Sequence, residues 1–553
     1  MNIIKGFPAT LHNNYQLNVI NIIKHGTRNF GKQEIASKNH DGTMFRYTYK
    51  DAYNRMKRLA NSLATIGVLV GDRIGVLAWN TYQHFEIYFA LPGMGAVMVS
   101  LNLRLTPQDL AYVVNHSGAR YIIVDEDLIQ IAESIVPLCK QLEGFIVITE
   151  KELDEIDTKL EPIFSYEDLL SKASSEYRWP NLDENSAYAA CYTSGTTGKP
   201  KGVYYSHRNV YIQAMMFASQ FSMSVKDVVL QIVPMFHVLG WSKPQAATYV
   251  GTKLIFSGKW SLNEVDKLNE IIIQEKVTVT GGVPAVFMAM IESIRKKVQK
   301  PDFTGARFIC GGSEPPIALM CGLWKLTGAE IIHSYGSTEA MAITTLNQSK
   351  PWLEGELSEE EMWNLKKKQG NIMSGLDIKI VDSEGKELPH DGKSSGEILL
   401  RGPWITRNYY NAPETKDDFT EDGYFKSGDV GSLDKEGLLK ITDRLKDVIK
   451  SGGEWISSID MENTLASHPA IGEAAVVGVT HPKWDERPLA LVVLRDGFDS
   501  IEKSEIREYL SHWFAKWQLP DEILFVKSIP KTSVGKLNKK VIRREYADIY
   551  LNK

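Results

Sequence analysis

The sequence predicts an α/β chain: a large N-terminal domain of doubly wound sheets carrying a β-rich subdomain, followed by a small α+β C-terminal domain. Three observations carry this. Over residues 1–190, apolar runs of strand length alternate with amphipathic runs of helix length, the mark of parallel sheets covered by helices. Three later apolar runs each end in a loop rich in Gly, Ser and Thr, as strands do where an α/β fold binds ligands. After 443 a separate strand and helix pattern begins and occupies the last ~110 residues, a normal domain size. At 553 residues the chain is too long for one ordinary core, and the boundary is expected between 1–442 and 443–553.

Taken in order, residues 49–66 read as a helix, with Ala52, Met56, Leu59, Ala60 and Leu63 at helical spacing. Gly67 follows as a plausible C′ glycine. Residues 73–78 read as a strand, 84–91 as a helix and 96–101 as a strand, and 121–125 and 145–149 as strands with a helix between them. The apolar run 87–101 contains Pro92 and two glycines and is too short for a membrane span.

The densest stretch is Tyr192-Thr-Ser-Gly-Thr-Thr-Gly-Lys-Pro-Lys-Gly-Val203. Gly195, Gly198 and Gly202 allow close backbone approach and positive φ. Thr193, Ser194, Thr196 and Thr197 offer hydroxyls, and Lys199 and Lys201 offer charge, which together make a phosphate cradle. A solvated turn between two strands would use the same residue types. The spacing is not that of a P-loop, because only two residues separate Gly195 from Gly198 and Pro200 follows Lys199.

Beyond it, 207–219 reads as a helix and 228–233 as a strand that runs into Pro234-Met-Phe-His-Val-Leu-Gly-Trp241. His237 thus falls at a strand's carboxyl edge, although a histidine among hydrophobes also suits a core. The strand 277–280 ends in Gly281-Gly-Val-Pro284, the strand from Arg307 ends in Cys310-Gly-Gly-Ser313, and the strand from Ile331 ends in Tyr335-Gly-Ser-Thr-Glu339. Three such endings favour one shared crevice. Glu339, the lone acid beside hydroxyls, suits a Mg²⁺ on nucleotide phosphates, or simply answers a helix dipole. Tyr335 offers a face for stacking on adenine. Asp429, in Ser427-Gly-Asp429, could accept two ribose hydroxyls. The run from Asp443 to Glu454 (charges around a short apolar core, then Gly452-Gly453) reads as a hinge. The C-terminal pattern is a helix at 458–467, strands at 473–479 and 489–494, a helix at 503–514 and a strand at 522–526. It closes on Lys531-Thr-Ser-Val-Gly-Lys536 inside a basic run.

Hydrophobic residues make up 43% and charged ones 24%, the profile of a globular domain. A net charge of −5 argues against a general nucleic-acid binder. The 4 cysteines show no metal-ligand spacing and read as buried, reduced thiols. With no charged-then-apolar leader at the N-terminus, a cytoplasmic protein is expected.

In order and spacing these motifs resemble, over essentially the whole chain, those of the adenylate-forming superfamily of acyl-CoA synthetases, luciferases and peptide-synthetase adenylation domains. The segments from Val233 to Val238 and from Lys446 to Ser457 look most like bacterial and archaeal fatty-acid–CoA ligases. The resemblance implies ATP, Mg²⁺ and coenzyme A as reactants. Thr193 and Glu339 match positions associated with the metal and phosphates, beside the 194–199 cradle. Gly312, His333, Ser334, Tyr335, Gly336 and Thr338 match the adenine and α-phosphate side, and Asp429 the ribose ligand. Arg444, Lys446, Lys450 and Trp455 match nucleotide-side positions, and Lys536 the lysine that bridges the carboxylate and the α-phosphate. His237, Trp241 and Gly336 fall on the acyl side, with Trp241 matching a tunnel-gating tryptophan, and Gly452-Gly453 on the thiol side. His333-Ser334 departs from a common Gln-Gly, and Asn102-Leu-Arg-Leu105 from a common Asn-Pro-Arg-Leu.

The implied chemistry is attack of a carboxylate on the α-phosphorus of ATP, then attack of the CoA thiol on the acyl-adenylate. Two anions must meet, so cations and fixed donors are needed. The small domain is expected to be mobile about 443–448, exchanging Lys536 for the Gly452-Gly453 face. Gly336 stands where acetate-specific relatives carry a tryptophan, which predicts a medium to long acyl chain. The alternative is an aryl or branched acid. The resemblance further suggests a homodimer.

Overall fold

The computed structural model describes residues 4–11, 14–193, 199–353, 355–452, 454–495, 497–498, 500–531 and 537–551. The chain divides into two compact units, residues 1–377 with 401–425, and residues 378–400 with 426–553.

The first unit is built on two sheets. One orders its strands Ile163–Ser165, Gly144–Ile148, Ala119–Asp125, Arg73–Leu77, Val97–Ser100, Ala187–Tyr192 and Gly202–Ser206. All are parallel except the last, which returns antiparallel to Ala187–Tyr192. The other sheet contains, side by side and parallel, Glu330–Tyr335, Arg307–Cys310, Val279–Gly282, Val228–Gln231, Lys253–Phe256 and Glu34–Lys38. Both sheets are doubly wound. Helix Tyr82–Gly93 is buried on every side, because it belongs to the core cluster that joins both sheets. A helix buried all round, here including Gln83, His84 and Glu86, needs such a double cover. Helices Val265–Glu275, Pro284–Lys296 and Ile317–Thr327 cover the far face of the second sheet, and Pro107–Ser117 and Ile129–Ile135 the far face of the first.

Local signals set the helix starts. Thr48 and Asp51 form a reciprocal capping box before Tyr49–Thr65, and Ser206 with Asn209 does the same before His207–Gln220. Thr106 caps a helix whose first residue is Pro107. The apolar run 87–101 resolves into the end of one buried helix and the buried strand Val97–Ser100. Among the described residues no helix is long and apolar enough to cross a membrane. Cys139, Cys191 and Cys310 are buried free thiols, and Cys321 is half-buried.

The second unit opens with the β-rich part, strands Asp377–Val381, Gly396–Arg401, Phe425–Leu433 and Leu438–Arg444 in that order. It continues into a second sheet whose core is the long antiparallel pair Ile471–His481 and Asp485–Leu494, with Glu522–Phe525 added parallel to the latter. Helices Ser458–Ala466 and Lys503–Ser511 bury Met461, Leu465, Ile506 and Leu510 on one face. Ile542 of helix Lys539–Glu545 packs on the other face. The observed architecture is the mixed α/β domain with doubly wound and β-rich sheets, plus a smaller C-terminal α+β part, that the sequence predicts.

Candidate active site

The three glycine-ended strands and the strand before Pro234 are four consecutive neighbours in the sheet: Glu330–Tyr335, Arg307–Cys310, Val279–Gly282 and Val228–Gln231. Their carboxyl ends therefore open onto one edge, where parallel sheets bind ligands. The shared crevice follows from strand order.

The strands that flank the Gly-rich stretch pair antiparallel. Tyr192 pairs with Gly202, Thr193 N donates to the Lys201 carbonyl at 3.0 Å, and Lys201 N donates to Thr193 Oγ1 at 3.0 Å. Ser194, Gly195, Thr196, Thr197 and Gly198 lie outside the described residues, as do Gly453 and Lys536. Lys199 Nζ stands over the Tyr112 ring at 5.0 Å. Lys201 pairs with Asp418 at 2.9 Å and lies 4.7 Å over the Tyr409 ring.

That ring leads to the acid. Tyr409 Oη donates to Glu339 Oε1 at 2.7 Å. Burial first, and the Glu339 charge second, push the phenol of Tyr409 well above its ordinary pKa, so it stays a donor. Tyr205 Oη donates to the Thr338 carbonyl at 2.6 Å, and Thr406 N to the Glu339 carbonyl at 2.7 Å. The loop 337–339 is thus held from two sides, and Ser337 Oγ is buried with no partner among the described residues. One fixed carboxylate with nearby hydroxyls is a hard-oxygen donor set that fits Mg²⁺ bound chiefly through phosphates.

His333 and Ser334 direct their side chains inward. His333 Nδ1 donates to the Lys367 carbonyl at 2.7 Å, with Lys368 O at 3.1 Å. Burial pushes its imidazole down to about 4, so the ring is neutral. Ser334 Oγ donates to the Thr345 carbonyl at 2.9 Å. Tyr335 is half-buried, its N–H bonded to Thr345 Oγ1 at 3.3 Å. Gly336 is crowded by backbone, since a Cβ there would lie 1.6 Å from the Ala342 carbonyl oxygen. Gly312 has φ of +82°, a left-handed position suited to glycine, with Val283 3.1 Å from where a Cβ would stand.

On the acyl side, Asn80 grips the end of Val228–Gln231. Its Nδ2 donates to the Ile232 and Val233 carbonyls, each at 3.0 Å, and its Oδ1 accepts from Met235 N at 2.8 Å. The chain then makes an unusual turn, with φ of 32° at Val238, 46° at Leu239, 60° at Gly240, 54° at Trp241 and 60° at Ser242. Four of these five carry side chains, and such positions cost about 1–3 kcal/mol each and gather at functional sites. His237 is exposed just before the turn and lines a small cleft with Thr338, Phe236, Cys191 and Tyr192. Trp241 is buried, and its ring edge would be 3.1 Å from a Cβ on Gly311. Gln213 links the two loops by accepting from Ser242 Oγ and donating to the Met341 carbonyl.

The second unit carries its own cluster. Asp429 and Arg444 are cross-strand partners, with Arg444 Nε 3.6 Å from Asp429 Oδ1. Burial lowers the pKa of Lys446 most, against the opposing pull of Asp447. Lys450 pairs with Trp455 across a short hairpin, and Gly452, with φ of +61°, packs under the exposed Trp484. Asp443 is buried and accepts from the Ser458 and Arg444 amides, both at 2.7 Å. It also accepts from Ser458 Oγ, which in turn receives Lys539 Nζ at 2.5 Å.

Sequence reasoning passes over Tyr409, Gln213 and Trp484. Each acts through a pairing between distant segments, which no local pattern announces.

A parallel-sheet edge of this kind, beside a Gly- and Thr-rich stretch, suits a nucleotide. Residues 27–410 match the AMP-binding enzyme family, and residues 460–536 match the AMP-binding enzyme C-terminal domain. The chain belongs to this family and is an AMP-forming acid–thiol ligase. It is 41% identical to a long-chain-fatty-acid–CoA ligase of Thermus thermophilus over 551 residues, covering 99% of this chain and 98% of that one. It is 35% identical to a medium-chain-fatty-acid–CoA ligase of Ectopseudomonas oleovorans over 538 residues, 97% of either chain. Among solved structures, a Mycobacterium tuberculosis fatty acyl CoA synthetase superposes with a TM-score of 0.72 at 25% identity, covering 96% of this chain and 99% of that one.

Proposed function

We propose that this ligase activates medium to long aliphatic acids, forming the acyl-adenylate from ATP and then the CoA thioester, with release of pyrophosphate and AMP. The observation that supports it is the convergence of four strand ends on one edge. The phosphate-side loop (Glu339, Thr338, the base of the 193–201 hairpin) lies toward one part of that edge. The apolar turn with Phe236 and Trp241 lies toward another. A nucleotide and an apolar acid need both. The near-full-length likeness to long- and medium-chain ligases supports the aliphatic choice.

In this reading Glu339 and Thr193 would hold Mg²⁺, which when bound offsets the charge of the phosphates. Tyr409 keeps Glu339 aimed. The 194–199 loop takes the phosphates by backbone amides, hydroxyls and Lys199. Gly312 and the 333–338 segment serve the adenine and α-phosphate through backbone and hydroxyl groups, since the His333 ring is committed elsewhere. Asp429 accepts the ribose hydroxyls, with Arg444, Lys446, Lys450 and Trp455 on the nucleotide side. Lys536 offsets the repulsion between the incoming carboxylate and the α-phosphate. Residues 443–553 rotate about 443–448 for the thiol step, bringing the Gly452-Gly453 turn to the CoA thiol. The protein is further proposed to be a cytoplasmic homodimer, which sedimentation would test.

The deciding experiment measures AMP release with ATP, Mg²⁺ and CoA over straight-chain acids from C2 to C18, beside aryl and branched acids. CoA-dependent turnover that peaks at C8 or longer is expected. A peak at acetate, or turnover confined to aryl or branched acids, would overturn the acyl assignment. Lys536→Ala is expected to abolish ATP–pyrophosphate exchange, and exchange at the wild-type rate would remove Lys536 from its role.

A further inference from the structure

One side chain at the acyl edge does not suit a hydrocarbon. Lys243, the first residue of helix Lys243–Val250, is fully buried. Its Nζ donates to the Gly240 carbonyl at 3.2 Å and lies 5.4 Å from the centre of the Trp241 ring. Among the described residues no carboxylate pairs with it. Two effects oppose a cation there: burial costs hydration, and the start of a helix is its positive end. Burial alone pulls the amine down to about 7. A purely structural position would ordinarily hold leucine or methionine.

The location gives the amine a use. A Cβ on Gly281 would lie 3.0 Å from Nζ, so the amine sits against the carboxyl end of strand Val279–Gly282. The Trp241 ring beside it reaches Gly311, at the carboxyl end of the neighbouring strand. The amine is thus buried on the face of the sheet, close to the carboxyl edge that carries the proposed acyl site. It lies directly after the left-handed turn 238–242, where backbone strain is concentrated. A second polar group there is incompletely bonded. Gln231 Nε2 shares the Gly240 carbonyl with Lys243 at 3.2 Å, while the buried Gln231 Oε1 has no partner among the described residues.

We propose that Lys243 is a specificity residue, and that the preferred substrate is an aliphatic acid carrying a second oxygen function, a carboxylate first of all, along its chain. This rests on the acyl-CoA ligase reading given above and narrows it. In the free protein the amine is tolerated by shedding its proton part of the time. A substrate carboxylate brings the missing counter-charge, and the amine takes up a proton from solvent to form an ion pair beside the Trp241 face.

The test compares matched pairs in the wild-type protein, straight-chain monoacids against α,ω-diacids and ω-hydroxy acids from C6 to C14, by CoA-dependent AMP release. The diacid of one chain length is expected to exceed its monoacid in kcat/KM by about 10- to 100-fold, chiefly through KM, the range of a charge-assisted hydrogen bond. Lys243→Met should reverse that order, and Lys243→Arg should restore part of it. Preference for ω-hydroxy acids over both would support the contact but replace the carboxylate by a hydroxyl. Equal or better use of the monoacid by the wild-type protein would overturn the inference while leaving the ligase reading standing. No turnover with any aliphatic acid would overturn both. Because the wild-type comparison decides the matter, a variant that fails to fold does not protect the proposal.

Discussion

Replacing Tyr409 by phenylalanine removes one atom from the site and isolates the positioning of Glu339. The phenol is 6% exposed and donates to Glu339 Oε1 at 2.7 Å. Its ring also supports Lys201 at 4.7 Å, and that contact survives in phenylalanine. A buried hydrogen bond to a charged group contributes about 1.5–3 kcal/mol, which corresponds to about 10- to 100-fold in rate or affinity. If Glu339 serves the metal, Tyr409→Phe should lower ATP–pyrophosphate exchange by that factor and raise the Mg²⁺ concentration needed for half-maximal exchange. Thermal stability should fall by no more than the same ~1.5–3 kcal/mol, since the ring packing remains. The assay is exchange titrated with Mg²⁺ at saturating ATP and acid, beside a melting curve. An unchanged Mg²⁺ dependence with normal exchange would refute the reasoning, because Glu339 would then be insensitive to the phenol that bonds it. A fall in stability with normal exchange would make the pair structural.

Other expectations follow from the same geometry. Gly336→Ala must displace the Ala342 carbonyl, 1.6 Å from the new Cβ, and should destabilise the protein by about 3 kcal/mol or more in a chemical unfolding experiment; an unchanged midpoint would show that the loop yields freely. Burial holds the imidazoles of His84, His207 and His333 each at about 4, so their contribution is complete above pH 6.5 and is lost as pH falls through 4. Each amounts to about 3 kcal/mol at most. Asp125, raised by burial to about 7, acts in the opposite sense, as do the buried carboxyls of Glu86 and Glu462, so the histidine effect is read by difference: relative to the wild-type protein, His207→Gln should lose less stability between pH 6.5 and 4. Ser458→Ala removes the hydroxyl between Asp443 and Lys539 and should cost about 1–3 kcal/mol in melting experiments; no change would mean that the two charges pair without it.

The sequence discloses elements whose signals are local. Helix 49–66 and the strands from 73 onward appear where periodicity places them, and observed bounds differ mainly at the ends, as Tyr82–Gly93 against 84–91 shows. The C-terminal alternation is equally legible, because long apolar strands such as Ile471–His481 have nothing else to become. What sequence cannot supply is adjacency. That four loop-ended strands are neighbours depends on strand order, which arises from sheet-wide packing. The left-handed turn 238–242 is hidden for another reason, since four of its residues are types that ordinarily avoid positive φ, and distant groups such as Gln213 and Gln231, with the surrounding core, hold them there.

Gly336 and Lys243 together show how a residue's environment changes what its identity means. From sequence, Gly336 is the absence of a bulky side chain and so reads as space for an acyl chain. In the fold, the Ala342 carbonyl occupies the place where any side chain would begin, so the glycine is required by the turn whatever acid is bound. Pocket length must then be set by residues whose side chains reach the edge, which directs attention to Trp241, its neighbour Gly311 and the amine of Lys243. A tryptophan that closes on a glycine is a movable wall only if the 238–242 turn can relax, and relaxation would release strain of about 1–3 kcal/mol per residue. Substrate entry that displaces the Trp241 ring would uncover Lys243 in the same motion, because the ring and the amine are in contact. Chain length and chain polarity would therefore be read by one device, and varying either in the acid panel should change the response to the other.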